Sequence, residues 1–192
     1  MSKNPINADL TTTRKEKSLV SLTKVLKFSS KQVRNKWCKQ LLYKLYIIHN
    51  EFANAKCNVC LDNLKVDEDN NLVLTNVFQN STTDTKLATD IEFKAPELLD
   101  CNNGSKTGDV WAAGICIYYV INLSFPWQVA DEKDENFYRW KFEGRFSSTV
   151  DSTFVRVLTQ MLCVEPNTRA SIKEVLKTLN SETNETVLGN FQ

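Results

Sequence analysis

Glycine is scarce in this chain, and its distribution excludes one common kind of phosphate site. The 192 residues include only five glycines, the first of them at position 104. A loop that cradles nucleotide phosphates with its backbone needs several closely spaced glycines. No such loop can therefore lie upstream of Gly104.

The chain has a single histidine, and its cysteines are not spaced as in a disulfide-bonded domain. The six cysteines are scattered along the chain, at Cys38, Cys57, Cys60, Cys101, Cys116 and Cys163. No secretory signal accompanies them, so we expect reduced thiols. Cys57 and Cys60 have the spacing of half a zinc site, but two further ligands would be needed and His49 is the single histidine. We therefore expect no metal site.

Long apolar runs and clusters of like charge are also lacking. No stretch reaches the length of a membrane span, and the polar N-terminus does not resemble a signal peptide. The 24 basic and 23 acidic residues leave a net charge of +1. We predict no membrane or nucleic-acid partner, and a cytoplasmic or nuclear location. With 42% hydrophobic residues, the length suits one globular domain with a core.

The first half of the chain carries two clear patterns. Ser30 is a plausible helix cap, and apolar residues follow it every three or four positions at Val33, Trp37, Leu41, Leu45 and Ile48. This spacing predicts a long amphipathic helix that ends near His49. Two short extended runs follow, joined by a polar turn at residues 67–71, and they predict a small β-hairpin.

The second half is helical by pattern, after a loop at residues 80–90. The run from Asp109 to Phe125 is apolar on nearly every face, which is typical of a buried core helix. Two more helices are predicted at residues 152–162 and 171–179, with Pro166 in the turn between them. The fold class is mainly α with a small β-hairpin.

The order and spacing of three motifs resemble the C-terminal lobe of a protein kinase. These are Ala95-Pro96-Glu97, Asp109-Val110-Trp111 and a distant Arg169. The resemblance covers residues 29–179. It implies a kinase-like C-lobe at 29–179, while composition predicts a polar, partly helical segment at 1–28 and a flexible tail at 180–192. Only about thirty residues precede the first strong helix, so we expect the N-terminal β-sheet lobe to be lacking.

The resemblance also implies structural roles. In this family the Glu97 equivalent forms a buried ion pair with the Arg169 equivalent, and the Asp109 equivalent holds the catalytic loop by hydrogen bonds. Buried charges are costly unless paired, which supports the first role. The alternative is that Glu97 and Arg169 are separate, solvated surface charges. Pro96 and Trp111 are assigned to turn formation and packing.

The catalytic positions depart from the family pattern. Asn58 stands where the family has its catalytic aspartate, and Asn76 stands where it has the metal-binding aspartate. Asn63 is kept, whereas Cys57 and Cys60 replace an arginine and a lysine. An amide cannot accept a proton at neutral pH and is a poor magnesium ligand. We predict a chain without catalytic activity, without a cofactor and without ATP binding.

The resemblance also bears on loop threonines, on His49 and on the three asparagines. Thr83, Thr85 and Thr89 lie in the equivalent of the activation segment and are candidate phosphorylation sites, although the arginine that would receive the phosphate is absent. His49 occupies a position that is structural in the family. The three asparagines could bind a polar ligand, or they could be a relic pocket held by amide hydrogen bonds.

These observations lead to one main hypothesis and two alternatives. The segment Phe125-Pro126-Trp127 is similar to the corresponding segment of calcium/calmodulin-dependent kinases. The replacement of catalytic residues resembles that of tribbles-like pseudokinases. We interpret the chain as an inactive kinase-like scaffold or regulator whose partner is a protein, either a kinase or its substrate. The alternatives are the C-lobe of a Ser/Thr kinase that needs a complementing lobe, and a truncated product without an independent role.

Overall fold

The computed structural model describes residues 18–53, 57–77, 91–98, 104–126 and 152–183. Within these ranges the structure is mostly helical, with one small antiparallel sheet. The helices are α1 (Leu22–Leu26), α2 (Lys31–Glu51), α3 (Lys106–Asn122), α4 (Ser152–Met161) and α5 (Ile172–Thr183). The strands are β1 (Val20–Ser21), β2 (Leu64–Val66) and β3 (Leu72–Leu74). Short 3-10 turns occupy Leu61–Asn63, Ile91–Phe93 and Pro96–Leu98.

Helix α2 is the long amphipathic helix expected from the sequence. Its N-terminus is capped by Ser30, whose hydroxyl accepts a hydrogen bond from the backbone N–H of Val33 at 3.3 Å. One face is buried from Trp37 onward, at Trp37, Cys38, Leu41, Leu42, Leu45 and His49. This buried face therefore holds α2 in place between the sheet and the candidate site, which begins at the C-terminal end of the helix.

The predicted hairpin is confirmed, with β2 and β3 paired antiparallel so that Val66 lies opposite Leu72. Its turn is closed by the carboxylate of Asp67, which accepts a hydrogen bond from the N–H of Asn71 at 2.8 Å. Asn70 adopts a φ of 58°, a left-handed conformation that asparagine tolerates better than most residues. The turn residues thus match the geometry that they adopt.

The sheet has one more strand than the sequence predicts. β1 pairs antiparallel with β2, with Val20 opposite Val66, so the hairpin is part of a three-stranded sheet. A strand of two residues is too short to show an alternating pattern. Leu22 and Leu26 follow directly and are buried, so the packed core extends N-terminal to residue 29.

Helix α2 holds the hairpin through polar side chains as well as apolar packing. The amide of Gln40 donates to the Asn71 side chain at 3.0 Å and accepts from the Leu72 N–H at 2.8 Å. The Trp37 indole donates to the Asn70 carbonyl at 3.1 Å. These bonds fix the sheet relative to α2, and with it the residues on either side of the hairpin.

Helix α3 is the centre of the core. Ser105 caps it by accepting from the Gly108 N–H at 3.0 Å, and most of its residues are buried. It packs against α2 and α4, while α5 packs against α4 and α2. Helix α5 continues to Thr183, so the predicted boundary of the C-terminal tail falls inside a helix. No helix in the described ranges is both long and apolar enough to cross a membrane.

Candidate functional site

A chain of amide hydrogen bonds joins the side chains of Asn76 and Asn63 to the main-chain carbonyl of Asn58, in the region where the sequence placed the altered catalytic positions. Asn63 is buried in the 3-10 turn before β2, and its Nδ2 donates to the Asn58 carbonyl at 2.8 Å. Asn76 lies just after β3, and its Nδ2 donates to Asn63 Oδ1 at 3.1 Å. Thr75 also binds the Asn63 carbonyl, through its N–H at 2.8 Å and its hydroxyl at 3.0 Å. The hairpin therefore places Thr75 and Asn76, which follow β3, next to Asn63, which precedes β2.

The direction of each amide bond follows from its partner. A backbone carbonyl can only accept, so the Asn63 group that faces Asn58 is the N–H donor. Asn63 Oδ1 then faces Asn76, which must supply a donor. Asn76 also has a φ of 52°, the left-handed region that asparagine and aspartate tolerate. An aspartate could share this backbone conformation but could not donate to Asn63.

This amide chain does not fit the magnesium ion that the kinase resemblance implies. Magnesium is bound through oxygen atoms, chiefly of carboxylates and phosphates. Here the one side-chain oxygen of Asn63 already accepts a hydrogen bond, and the donor is the residue that would have to be a metal ligand. The described residues of this cluster carry no negative charge at Asn58, Asn63 or Asn76.

A second polar cluster forms where α2 ends and α3 begins. Asp109, in the first turn of α3, accepts from His49 Nε2 at 2.9 Å through Oδ2 and from the Cys57 N–H at 2.9 Å through Oδ1. Burial raises the pKa of Asp109, and the hydrogen bond and charge of His49 oppose that rise. Asp109 thus ties the loop at Cys57 to two helices, which is the arrangement that the resemblance implies.

Neither cysteine of this loop has the properties of the charged residue it replaces. Cys60 is buried, and Cys57 is half-buried. Burial raises the pKa of the Cys57 thiol above its usual range, and the Asp109 carboxylate raises it further. In the absence of a ligand, the Cys57 thiol is therefore protonated and uncharged at neutral pH.

Glu97 and Arg169 lie in direct contact, 72 residues apart in sequence. Two parallel bonds join them, from Arg169 Nη1 to Glu97 Oε1 at 2.6 Å and from Nη2 to Oε2 at 2.9 Å. The remaining donors reach the carbonyls of Thr107, Cys163 and Val164. The five N–H groups of a guanidinium are therefore all used. The structure does not leave these residues as separate solvated charges.

The packing residues of the sequence analysis lie close to this ion pair. Trp111 is buried, and the Arg169 guanidinium lies over its ring at 5.1 Å from the centroid. Pro96 opens the 3-10 turn that carries Glu97. Phe125 packs edge-on against Phe93, with ring centroids 5.8 Å apart. Trp127 and the candidate phosphorylation sites Thr83, Thr85 and Thr89 lie outside the described residues.

Sequence reasoning missed two contacts of this region. His49 was placed by position alone, whereas the structure shows its ring bonded to Asp109. Lys106 was not singled out, yet its ammonium donates to the His49 carbonyl at the C-terminal end of α2. A lysine one turn before Asp109 gives no local signal of such a partner, because the contact spans two helices.

Comparison with known families agrees with this architecture. The profile of the protein kinase domain matches residues 10–179. The chain belongs to the protein kinase family. The matched range begins N-terminal to residue 29 and includes β1 and α1, whose leucines join the core. The division into domains proposed from the sequence stays a prediction.

Several kinases resemble the chain over part of their length. The serine/threonine-protein kinase SBK1 of Mus musculus is 32% identical over 108 residues, which are 48% of this chain and 25% of that protein. The probable serine/threonine-protein kinase MARK-B of Dictyostelium discoideum is 25% identical over 162 residues, 78% of this chain and 22% of that protein. CBL-interacting protein kinase 10 of Oryza sativa subsp. japonica is 25% identical over 158 residues, 76% of this chain and 34% of that protein. The chain spans between 22% and 34% of the length of these three kinases.

Proposed function

We propose that this kinase-family domain is catalytically inactive and acts as a protein-binding scaffold or a regulator of kinase signalling. The observation that carries the proposal is the hydrogen bond from Asn76 Nδ2 to Asn63 Oδ1. A carboxylate at position 76 would turn an acceptor toward the Asn63 oxygen, and a cation between them would make that contact favourable. The Asn76 amide instead donates an N–H to the Asn63 oxygen, so this contact needs no cation.

The chemistry of phosphoryl transfer supports inactivity on two independent counts. The transfer needs a side chain that accepts or orients the proton of the attacking hydroxyl, and Asn58 cannot accept a proton at neutral pH. It also needs magnesium held by protein oxygens, and Asn76 offers a donor at that place. Neither deficit would be repaired by a nucleotide-binding lobe, so the proposal does not depend on whether that lobe is lacking.

The scaffold role is supported by what the domain has kept. Glu97 and Arg169 retain their buried ion pair, and Asp109 retains its bonds to His49 and to the Cys57 N–H. These contacts maintain the fold while the carboxylates of the reaction are replaced. A maintained fold with altered chemistry is suited to binding a protein, and a kinase or a kinase substrate is the partner we propose, in the cytoplasm or nucleus.

A second candidate function is Ser/Thr kinase activity in which this chain supplies one lobe. The names of the relatives favour it, since SBK1 and MARK-B are both called serine/threonine-protein kinases. It requires that Asn58 and Asn76 work without carboxylates. The two candidates therefore differ in a directly measurable property of the purified chain.

The deciding experiment is a phosphoryl-transfer assay with ATP, magnesium and generic Ser/Thr peptide substrates. We expect no transfer above the background without protein, and no change of that background in Asn58→Ala. Transfer by the wild-type chain that Asn58→Ala abolishes would overturn the proposal and favour the second candidate. An active kinase assayed in parallel controls for the peptides and the nucleotide.

A reversion experiment tests the structural argument itself. In Asn76→Asp we expect lower thermal stability than wild type without a divalent cation, because two oxygens then face each other, and a gain in stability on adding magnesium. The wild-type melt should not move with magnesium. Asn167→Asp, at an exposed position of the turn before α5, is the matched control for added charge. A magnesium response in wild type equal to that of Asn76→Asp would contradict the amide argument.

A further inference from the structure

Three metal-binding atoms of different chemistry meet at the junction of α2, the Cys57 loop and α3. His49 Nε2, Cys57 Sγ and a carboxylate oxygen of Asp109 all lie within 4.8 Å of one another. His49 and Asp109 are buried, and Cys57 is half-buried. These side chains are separate from the amide chain on which the proposed function rests.

The donor set matches the preference of Zn²⁺, which binds imidazole nitrogen, thiolate sulfur and carboxylate oxygen. Zinc–sulfur bonds of about 2.3 Å and zinc–nitrogen bonds of about 2.0–2.1 Å place tetrahedral donors roughly 3.3–3.6 Å apart. His49 Nε2 and Asp109 Oδ2 are 2.9 Å apart. Shifts of roughly 1 Å or less would therefore open this pair around an ion and bring Sγ to it.

The charges of the cluster also suit a divalent ion. A zinc ion bound by one thiolate, one carboxylate and one neutral imidazole has no net charge, which reduces the cost of burying it. Asp109 Oδ1 keeps its bond from the Cys57 N–H, so the carboxylate is oriented without the metal. Lys106 is a nearby cation, bonded to the His49 carbonyl, and its charge opposes the binding of zinc.

We propose that His49, Cys57 and Asp109 form a Zn²⁺ site with three protein ligands and a fourth position open to water beside the half-buried Cys57. The sequence grouped Cys57 with Cys60, whereas the structure groups it with a histidine and an aspartate from two helices. Cys57 stands where the kinase resemblance places an arginine, whose charge would exclude a metal. Zinc bound here would join α2, the loop and α3, and so add to the stability of the folded domain.

The binding test uses the full chain without a histidine tag, reduced by a reagent that contains no thiol and stripped of metal with a chelator. We expect one equivalent of Zn²⁺ per chain on equilibrium dialysis, and a higher melting midpoint with zinc than without it. Cys57→Ser should weaken zinc binding by more than about tenfold, because even substitutions of residues that only hydrogen-bond to metal ligands have effects of that size. Cys60→Ser, three residues away, is the matched control and should bind as wild type does.

Cobalt substitution identifies the ligands directly. With Co²⁺ in place of Zn²⁺, wild type and Cys60→Ser should show a thiolate-to-cobalt charge-transfer absorption that Cys57→Ser lacks. Equal zinc affinity in wild type and Cys57→Ser, or no thiolate absorption with Co²⁺, would overturn the proposal. Should Cys57→Ser fail to fold, zinc must instead protect Cys57 of the wild-type chain from alkylation, and alkylation at an unchanged rate would overturn the proposal.

Discussion

Replacing Arg169 by alanine removes the charge that holds three parts of the fold together. Its guanidinium binds both oxygens of Glu97 and three backbone carbonyls, and its side chain is fully buried. Alanine leaves the carboxylate without its partner and the carbonyls without donors. It also leaves a space beside the Trp111 ring, over which the guanidinium lies.

The magnitude follows from the burial of the two partners. Breaking a buried ion pair by removing one member costs about 3–5 kcal/mol. The Glu97 side chain is 21% exposed, so water can partly solvate it, and we expect a loss near the lower limit, about 3 kcal/mol. For a domain of this size each kcal/mol shifts the melting midpoint by about 2–4 °C, which gives a fall of about 6–12 °C.

Urea denaturation and a thermal melt measure this loss directly. Lys173→Ala, which removes an exposed cation from α5, is the matched control and should change stability by no more than about 0.5 kcal/mol. The double variant Glu97→Ala with Arg169→Ala should be less destabilised than the sum of the single changes, because the pair is coupled. An Arg169→Ala variant within about 0.5 kcal/mol of wild type would refute the reasoning.

Three further predictions concern helix packing and helix ends. Gly114→Ala should destabilise the chain by about 1–3 kcal/mol in urea, because the new Cβ would lie 2.8 Å from Leu162 Cδ2; a gain would contradict the close approach of α3 and α4. Leu123→Gly should raise the melting midpoint, since Leu123 ends α3 with a φ of 59°; a lower midpoint would mean that its side chain contributes more than the strain costs. Hydrogen bonds from Ser171 lower the pKa of Glu174 below its ordinary 4.5, so its ionised form stabilises the fold above that pH and the effect is lost as the pH falls. Glu174→Gln should flatten the acid limb of a stability–pH series, and an unchanged limb would argue against this helix cap.

The local elements were predictable because their signals lie in neighbouring residues. The Ser30 cap and the apolar stripe after it predicted α2, and the turn residues Asp67 and Asn70 predicted the hairpin. Both depend on backbone preferences and on a period that a short stretch of sequence carries. The two-residue strand β1 carries no such period, and it forms because β2 offers it an edge.

The sequence predicted which residues the candidate site contains, but not which of them are in contact. The altered positions Asn58 and Asn76, and the kept Asn63, could be read from the motif spacing and the family resemblance. The direction of their hydrogen bonds depends on how the hairpin returns to the 3-10 turn, which spacing does not give. The pairing of Glu97 with Arg169 came from the resemblance, because 72 residues of separation carry no local signal.

The sequence by itself determined where the long helices form and which faces they bury. Only the tertiary structure decided which of the remaining polar groups meet. His49, Cys57 and Asp109 belong to a helix end, a loop and a helix start, and the packing of α2 against α3 brings them within reach of one ion. Periodicity and capping act over a few residues, whereas such a meeting depends on the whole core that holds the two helices together.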